Sequence, residues 1–491
     1  MQSKAPLLEA LQTLGSSAAL PMHMPGHKRN TQLANYLAQL GAGLDITEID
    51  GFDNLHQAEG ILLRSMEQAA ALWGARRSFY LINGSTGGLL AALRAMTSPG
   101  QEILLTRGCH KSIYHGLELL DLVPRYLAPP LDAATGIMGS ITPQQLEQAL
   151  KQWPRVGLLV LTCPTYEGVL CNLPELCRIA HRHNIPVLVD EAHGPHLGLA
   201  EGWPQGAVAA GADVVVQSLH KTLPSLTQTA ILHCCTHRVD VQRMGRELAI
   251  FQTSSPSYLL MASMDGCTQL LTQQGPELLG RWRQALAQFD QAILPLKHLK
   301  VLCHGADRLA QHPALFDHDP SKLVLCCRGT SITGPQLMEQ LRSRWGIELE
   351  MALGDYAIAM TGLGDTWQTL EPLAQALLEL DKTLQSGQPA PVEGSLPLPP
   401  MVCSIRQALS PPGQPLGLEQ AVGWVSTEFV WAYPPGIPLI VPGEQVDSPF
   451  VATCKRLLQQ GVALHSTSGG LPGHLLVCSP SHCLKKEEPL F

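Results

Sequence analysis

Four short segments bring polar side chains to the predicted ends of buried strands. They are a glycine-rich turn at 83–88, His110, Asp190, and the run 218–221, which ends in a lysine. A glycine-rich turn that opens a helix offers free backbone N–H groups and the positive end of the helix dipole to a phosphate. Lysine is rarely buried without a partner, so a lysine at a strand end needs a chemical reason. Each segment alone also has a plain structural explanation, such as a helix cap or a packed histidine.

Taken together, the four segments match the requirements of pyridoxal phosphate. The amine of Lys221 can form an imine with the cofactor's aldehyde, while the carboxylate of Asp190 keeps the pyridine nitrogen protonated. Backbone N–H groups at Gly84 and the hydroxyls of Ser85 and Thr86 can bind the phosphate. The stretch from Asp190 to Lys221 is long enough for one helix and one strand, the unit that brings both ends to the same edge of a sheet.

Short apolar runs between about residues 75 and 235 predict the strands that would position these side chains. The runs are rich in leucine or β-branched residues and lack polar alternation, as in strands that are covered on both faces. Helical patterns at 142–152 and 174–183 alternate with them. This order predicts an α/β fold with a mostly parallel sheet and helices on both faces. The predicted strands are 102–106, 156–162, 187–190, 213–218 and 230–234.

The pattern changes after about residue 295, where strands at 299–303 and 322–327 and helices at 334–345 and 365–385 predict a smaller α+β unit. A chain of 491 residues should contain two or three domains, at roughly 100–200 residues each. We expect five consecutive parts: an N-terminal segment at 1–60, a large cofactor domain at 61–295, a small α+β domain at 296–385, a proline-rich linker at 386–400 and a C-terminal domain at 401–491.

Composition excludes several classes of function. The net charge of −8 gives no general attraction to nucleic acid or to an anionic membrane. No stretch approaches the roughly 18 apolar residues of a membrane helix. Residues 1–10 contain Lys4 and Glu9 and lack the apolar centre of a signal peptide, so we expect a cytoplasmic protein with free thiols. The run 233–237, His-Cys-Cys-Thr-His, lacks a second ligand pair at a recognisable spacing, and we expect no metal there.

Eight short motifs follow one another along the chain. They are HMPGHK at 23–28, DGFDNLHQAEG at 50–60, NGSTGG at 83–88, CHKS at 109–112, DEAHG at 190–194, SLHKTLP at 218–224, YPPGIP at 433–438 and PGE at 442–444. In these motifs the chain resembles the ornithine/lysine/arginine decarboxylase family of fold-type I pyridoxal-phosphate enzymes, in the shorter form without an N-terminal wing domain. The resemblance covers almost the whole chain. Two positions depart from it: Leu219 replaces the usual threonine, and Ala58 replaces the usual proline.

The resemblance implies roles for the residues around the cofactor. Lys221 would carry pyridoxal phosphate as a Schiff base, with Ser218 and His220 on the phosphate or beside the imine. The turn that contains Ser85 and Thr86 would hold the phosphate.

Further roles concern the cofactor's ring. Asp190 would bind the ring nitrogen, and His110 would stack on the ring face. Ala192 would pack under the ring. His193 would lie near the phenolic oxygen or the substrate carboxylate.

The implied reaction is the decarboxylation of lysine, arginine or ornithine to the corresponding polyamine-type amine and carbon dioxide. The resemblance implies a homodimer whose site is completed by the partner, with His27 or Lys28 near the neighbouring cofactor, and it suggests Glu444 as the contact for the substrate's distal cation. Two alternatives remain, because a fold does not determine a reaction. One is another reaction of the cofactor, such as transamination or a lyase step. The other is a catalytically silent family member.

Overall fold

The computed structural model describes residues 5–17, 19–30, 35–388, 398–432, 437–459 and 462–483. The chain divides into two compact units. The first contains Met1–Met96, Leu173–Ala285 and Thr361–Thr366, and the second contains Thr97–Asn172, Leu286–Met360 and Trp367–Phe491. The five-part division expected from the sequence stays a prediction.

Helices are found in both units. Within the described residues, none of them is both long enough and apolar enough to cross a bilayer. In chain order the α-helices are α1 Pro6–Gly15, α2 Asn35–Gln39, α3 Ile61–Trp73, α4 Gly84–Met96, α5 Lys111–Leu120, α6 Pro143–Gln152, α7 Leu173–Arg182, α8 Leu219–Thr222, α9 Val241–Phe251, α10 Tyr258–Ala292, α11 Gly334–Trp345, α12 Trp367–Asp381, α13 Ile405–Leu409, α14 Ser448–Gln459 and α15 Pro480–Cys483.

The strands are mostly short. In chain order they are β1 Arg77–Leu81, β2 Glu102–Thr106, β3 Val123–Leu127, β4 Leu159–Thr162, β5 Val169–Leu170, β6 Val187–Asp190, β7 Val214–Gln217, β8 Ala230–Cys234, β9 Lys300–Val301, β10 Asp317–His318, β11 Lys322–Cys326, β12 Met351–Leu353, β13 Tyr356–Met360, β14 Gln414–Leu416, β15 Val425–Ser426, β16 Val430–Ala432, β17 Ile437–Ile440, β18 Leu464–Ser466 and β19 Leu475–Cys478.

In the first unit, four strands pair in the order β1-β8-β7-β6. Strands β6 and β7 are parallel, whereas β8 is antiparallel to both β7 and β1. Every residue of β6, β7 and β8 is buried, which explains their continuous apolar sequence. Because β6 and β7 run in the same direction, their carboxyl ends lie side by side.

A buried chain of hydrogen bonds crosses the strands of the first unit. Glu191 accepts from the side-chain amide of Gln217 at 2.7 Å, and the oxygen of that amide is 3.0 Å from Nε2 of His233. The other ring nitrogen of His233 is 2.7 Å from the Ser78 hydroxyl. Burial lowers the pKa of His233 to about 3, so its ring is neutral. This histidine therefore takes part in a polar network of the core.

In the second unit, β4, β2 and β3 pair in that order, and both ladders are parallel. Helix α6 begins at the predicted place: Thr142 caps it in a reciprocal pair with Gln145, and Pro143 occupies its first turn. Antiparallel sheets follow, in the orders β12-β13-β11-β9, β14-β19-β15 and β17-β16-β18. The predicted fold class, a mostly parallel α/β part with smaller α+β parts, is confirmed.

Gly334 provides a test of packing in the second unit. A Cβ atom added there would lie 2.1 Å from the backbone oxygen of Tyr356. We expect Gly334→Ala to destabilise the protein by about 1–3 kcal/mol, because a backbone atom of a strand cannot move aside freely. Gly280 is the matched control, since it is exposed in α10 and has no atom within 4 Å of an added Cβ. Thermal unfolding should show a lower Tm only for Gly334→Ala, and equal Tm values would contradict this account.

Candidate active site

Lys221 lies just beyond the carboxyl end of β7. The strand stops at Gln217, Ser218 takes the N-cap position, and Lys221 belongs to the four-residue helix α8. The lysine therefore lies in a helical turn just after the strand, close to the strand end that its sequence position predicted. Leu219 opens this turn and is completely buried, so the substitution of the usual threonine affects packing.

The amine of Lys221 makes a direct contact with His193. Nζ of Lys221 is 2.8 Å from Nε2 of His193. A protonated lysine donates in this contact, which requires a neutral ring with its proton on Nδ1. His193 is 8% exposed and lies three residues after the end of β6. The two side chains can share or pass a proton.

Asp190 ends the neighbouring strand β6 and is 3% exposed. Burial raises the pKa of its carboxyl group, while the positive charge of Lys221 and a hydrogen bond from the backbone N–H of Ala192 act in the opposite direction. A carboxylate held in such a place is stabilised by a cation. A protonated pyridine nitrogen is such a cation, so the site fits the predicted ring partner.

The phosphate-binding turn also has the required form. Helix α4 begins at Gly84, whose φ of 68° lies in the left-handed region that favours glycine. Ser85 and Thr86 stand in its first turn and are accessible to solvent. A Cβ at Gly88 would come within 2.4 Å of the Leu81 side chain, so this glycine lets α4 pack closely on the sheet.

Ser218 offers a further fit to a phosphate group. Its hydroxyl is buried, and it has no hydrogen-bond partner among the described residues. A buried hydroxyl without a partner is costly and marks a place where a bound group supplies the missing acceptor.

His220 is turned toward the backbone. Its Nδ1 is 2.8 Å from the carbonyl oxygen of Thr229, to which it donates. Burial lowers the pKa of His220, and the charge of Lys221 adds to this effect, so the ring is neutral. Among the described residues, the imidazole that the Lys221 amine contacts is that of His193.

His110 lies in the second unit, at the N-cap of α5. Its Nδ1 accepts a hydrogen bond from the backbone N–H of Ser112 at 3.2 Å, and the residue is exposed. The cap fixes the ring while leaving its surface accessible, as stacking on a flat ring requires.

The predicted substrate residues of the N-terminal segment make contacts within that segment. His27 Nε2 is 3.4 Å from a carboxylate oxygen of Asp45, and its Nδ1 accepts from the backbone N–H of Arg29. The amine of Lys28 donates to the carbonyl oxygen of His23. These contacts hold the segment in a defined turn.

Glu444 forms a buried ion pair with Arg107 in the second unit. The carboxylate oxygens lie 2.7 and 2.9 Å from the two terminal guanidinium nitrogens, and neither side chain is more than 2% exposed. Burial acts to lower the pKa of the Arg107 guanidinium. The charge and the hydrogen bonds of the nearby Glu444 carboxylate act in the opposite direction, and on balance the pKa is raised. The Tyr126 ring lies 4.9 Å from the guanidinium carbon. Residues 433–436 of the neighbouring YPPGIP motif lie outside the described residues.

Sequence reasoning missed a histidine that supports the lysine-bearing turn. His196 is completely buried, its Nδ1 is 3.0 Å from the hydroxyl of Thr222, and Thr222 follows Lys221 directly. The His196 ring lies 4.8 Å from that of Trp203 and 4.9 Å from that of Trp282. The only signal in the sequence is a second histidine three residues after His193.

Comparison with known proteins agrees with this geometry. A family model for the major domain of Orn/Lys/Arg decarboxylases matches residues 5–323, and the model for the C-terminal domain of the same family matches residues 406–469. The chain belongs to the Orn/Lys/Arg decarboxylase family. The prediction of a decarboxylase for a basic amino acid is confirmed at this level, and the alternative of a different cofactor reaction is not favoured.

Individual relatives cover most of the chain. An arginine decarboxylase of Halalkalibacterium halodurans is 32% identical over 451 residues, which span 90% of this chain and 91% of that protein. The constitutive lysine decarboxylase of Escherichia coli is 24% identical over 82% of this chain and 68% of the relative. A solved structure of the E. coli constitutive lysine decarboxylase matches with a TM-score of 0.79 at 20% identity, covering 96% of this chain and 82% of that chain. This last similarity shows a shared fold.

The ion pair predicts a structural role for Glu444. We expect Glu444→Gln to lower the free energy of unfolding by about 3–5 kcal/mol, because Arg107 is then left as a buried charge without its carboxylate. Glu419→Gln is the control, since Glu419 pairs with Lys455 at the surface and its loss should leave the Tm unchanged. Thermal unfolding and steady-state kinetics check this expectation. An unchanged Tm with a raised KM would instead support a substrate contact at Glu444.

Proposed function

We propose that the chain decarboxylates L-arginine with pyridoxal phosphate bound covalently to Lys221. The observation that carries the proposal is the cluster at the ends of β6 and β7. There the Lys221 amine is 2.8 Å from the His193 ring. The Asp190 carboxylate is buried, which raises its pKa, and the positive charge of the same amine acts to lower it. When bound, the cofactor supplies an electron sink for the pair left on the α-carbon as carbon dioxide departs.

The residues of the chain hold the reactants and move protons. Asp190 keeps a proton on the ring nitrogen, because a positive nitrogen beside a buried carboxylate is strongly favoured. The turn at 84–86 and the hydroxyl of Ser218 bind the phosphate. His110 would stack on the ring of the bound cofactor, and Ala192 would pack under it. These contacts fix the orientation that favours loss of the carboxylate.

We further propose that Lys221 and His193 act as one proton-transfer pair. Their contact allows the lysine to give a proton to the α-carbon and to recover it through His193. His220 precedes Lys221 in α8, and its hydrogen bond to the backbone of Thr229 holds this turn in place.

The choice of arginine rests on the relatives. The arginine decarboxylase of Halalkalibacterium halodurans aligns over nearly all of both chains. The constitutive lysine decarboxylase of Escherichia coli is less similar to this chain, and the alignment covers a smaller share of both proteins. The amine product is a precursor of polyamines, and we infer a place in polyamine biosynthesis in the cytoplasm. The described cysteines form no disulfide, which supports a reducing compartment.

An assay of products across L-arginine, L-lysine and L-ornithine tests the proposed substrate. We expect the highest kcat/KM with L-arginine, together with one carbon dioxide for each amine formed. A preference for L-lysine or L-ornithine would contradict the choice of substrate, and formation of keto acid without carbon dioxide would contradict the proposed reaction.

Substitution of Lys221 tests the covalent attachment. In Lys221→Ala, borohydride should no longer fix the cofactor to the protein, and turnover should fall by orders of magnitude because the site lacks both its anchor and its proton donor. Lys111→Ala is the control and should still be fixed. If the cofactor is fixed in Lys221→Ala but lost in Lys111→Ala, the assignment of the lysine is wrong.

We propose that the protein forms a two-fold homodimer with a shared active site. Five large apolar side chains of the N-terminal segment support this, because they are between 65% and 81% exposed: Leu20, Met22, Met24, Tyr36 and Leu40. Burial of such a group against a second copy of the chain removes apolar surface from water. His27 and Lys28 lie among them and would face the partner's cofactor.

Mixing two inactive variants tests the shared site. Lys221→Ala and His27→Ala proteins are combined under conditions in which exchange of subunits is shown by mass. Random pairing makes half of the dimers mixed, and each mixed dimer keeps one intact site, so activity should recover to about a quarter of the wild-type value. Absence of recovery after proven exchange would place His27 in the site of its own subunit.

A further inference from the structure

Two cysteines face each other across the loop that follows β4. The chain leaves β4 at Thr162, reverses, and enters β5 at Val169. The backbone N–H of Thr165 donates to the carbonyl of Val169 at 3.0 Å, and that of Gly168 donates to the carbonyl of Thr165 at 3.0 Å. Thr165 and Val169 are therefore close to each other, and Cys163 and Cys171 each lie two residues further along the two arms of the loop.

The two cysteines are in direct contact. The backbone N–H of Cys171 donates to Sγ of Cys163 at 3.4 Å. A disulfide requires a Cβ separation of about 3.5–4.5 Å. A small movement of the two arms of the loop is enough to join the sulfurs.

The pair combines a protected thiol with an accessible one. Cys163 is 1% exposed, whereas Cys171 is partly exposed and lies on the wall of a small cavity that Thr162 and Thr165 also line. A small oxidant can therefore reach Cys171 first, with Cys163 already in place beside it. Sensor cysteines are typically accessible and have a resolving cysteine close by.

Other thiols of the chain are less suited to oxidation. Burial raises the pKa of seven of them, which suppresses the reactive thiolate. They are Cys234, Cys235, Cys267, Cys303, Cys326, Cys327 and Cys454.

We propose that Cys163 and Cys171 form a reversible disulfide when the protein meets a hydroperoxide. The Cys171 thiolate attacks the peroxide oxygen, which breaks the O–O bond and gives a sulfenic acid and water. The Cys163 sulfur then attacks the sulfenic sulfur, forming the S–S bond and releasing a second water. Two thiols are oxidised by two electrons, and hydrogen peroxide is reduced to two waters. A dithiol reductant reverses the reaction by exchange.

Peptide mapping of the holoenzyme tests this site. The full-length protein is treated with hydrogen peroxide, its remaining thiols are alkylated, and it is digested with trypsin. Cleavage after Arg155 and Arg178 gives one peptide that contains Cys163, Cys171 and Cys177. We expect this peptide to be lighter by two hydrogens and alkylated once, at Cys177. A second cleavage after Glu167 should leave the two halves joined until dithiothreitol is added.

Single substitutions assign the bond. Cys171→Ser should abolish the link, and because Cys171 is partly exposed this variant is expected to fold, as circular dichroism can verify. Cys163→Ser should also abolish it, whereas Cys177→Ser, the matched control in α7, should keep it. The proposal is overturned if the wild-type peptide stays fully reduced, if Cys171 is oxidised to a sulfinic or sulfonic acid without forming the link, if the link involves Cys177, or if it survives in Cys171→Ser.

Discussion

A carboxylate buried at the end of a strand must be matched by positive charge, and Asp190 imposes this condition on the site around it. The residue is 3% exposed and ends β6, next to the parallel strand β7. The parallel register puts Lys221, which follows β7, within electrostatic reach of the carboxylate. Burial alone would favour the neutral acid, whereas the positive charge of Lys221 favours the charged form. The same requirement explains why Asp190 ends β6 and Lys221 follows β7, next to runs of buried valine and leucine residues.

Elsewhere the protein uses buried aspartates to hold segments that lack strand partners. Asp265, on α10, accepts the backbone N–H groups of Leu7 and Leu8 at 3.0 Å each and so anchors the start of α1. Asp381 accepts three consecutive backbone N–H groups from 297–299 in the second unit. In both places the carboxylate satisfies donors that would otherwise be buried without an acceptor. Burial has the largest effect on the pKa of Asp265 and raises it, although the hydrogen bonds that Asp265 accepts act to lower it.

The ion pair of Arg107 and Glu444 holds the loop that leads to His110. Arg107 begins the loop that carries His110, and its carbonyl oxygen accepts from the hydroxyl of Tyr114 at 2.8 Å. Its guanidinium is held by Glu444 and by the carbonyl oxygen of Leu439. The C-terminal residues therefore fix the backbone from which His110 extends. Desolvation of both charges offsets most of their attraction, but the loss of either partner would leave a buried charge without its counterion.

The sequence by itself determined five of the buried strands, although not β1 or β3, and it singled out the residues that we propose as reactive. The buried strands appear as continuous apolar runs, because both faces are covered, and the cap of α6 is visible as Thr-Pro with a glutamine three residues on. Lys221 and Asp190 were recognisable because a charged residue at the end of such a run is unusual. Only the tertiary structure decided the contact of His193 with Lys221, the support of Thr222 by His196, and the pairing of Glu444 with a residue 337 positions away. These contacts depend on how separate segments pack, and local spacing carries no signal for that.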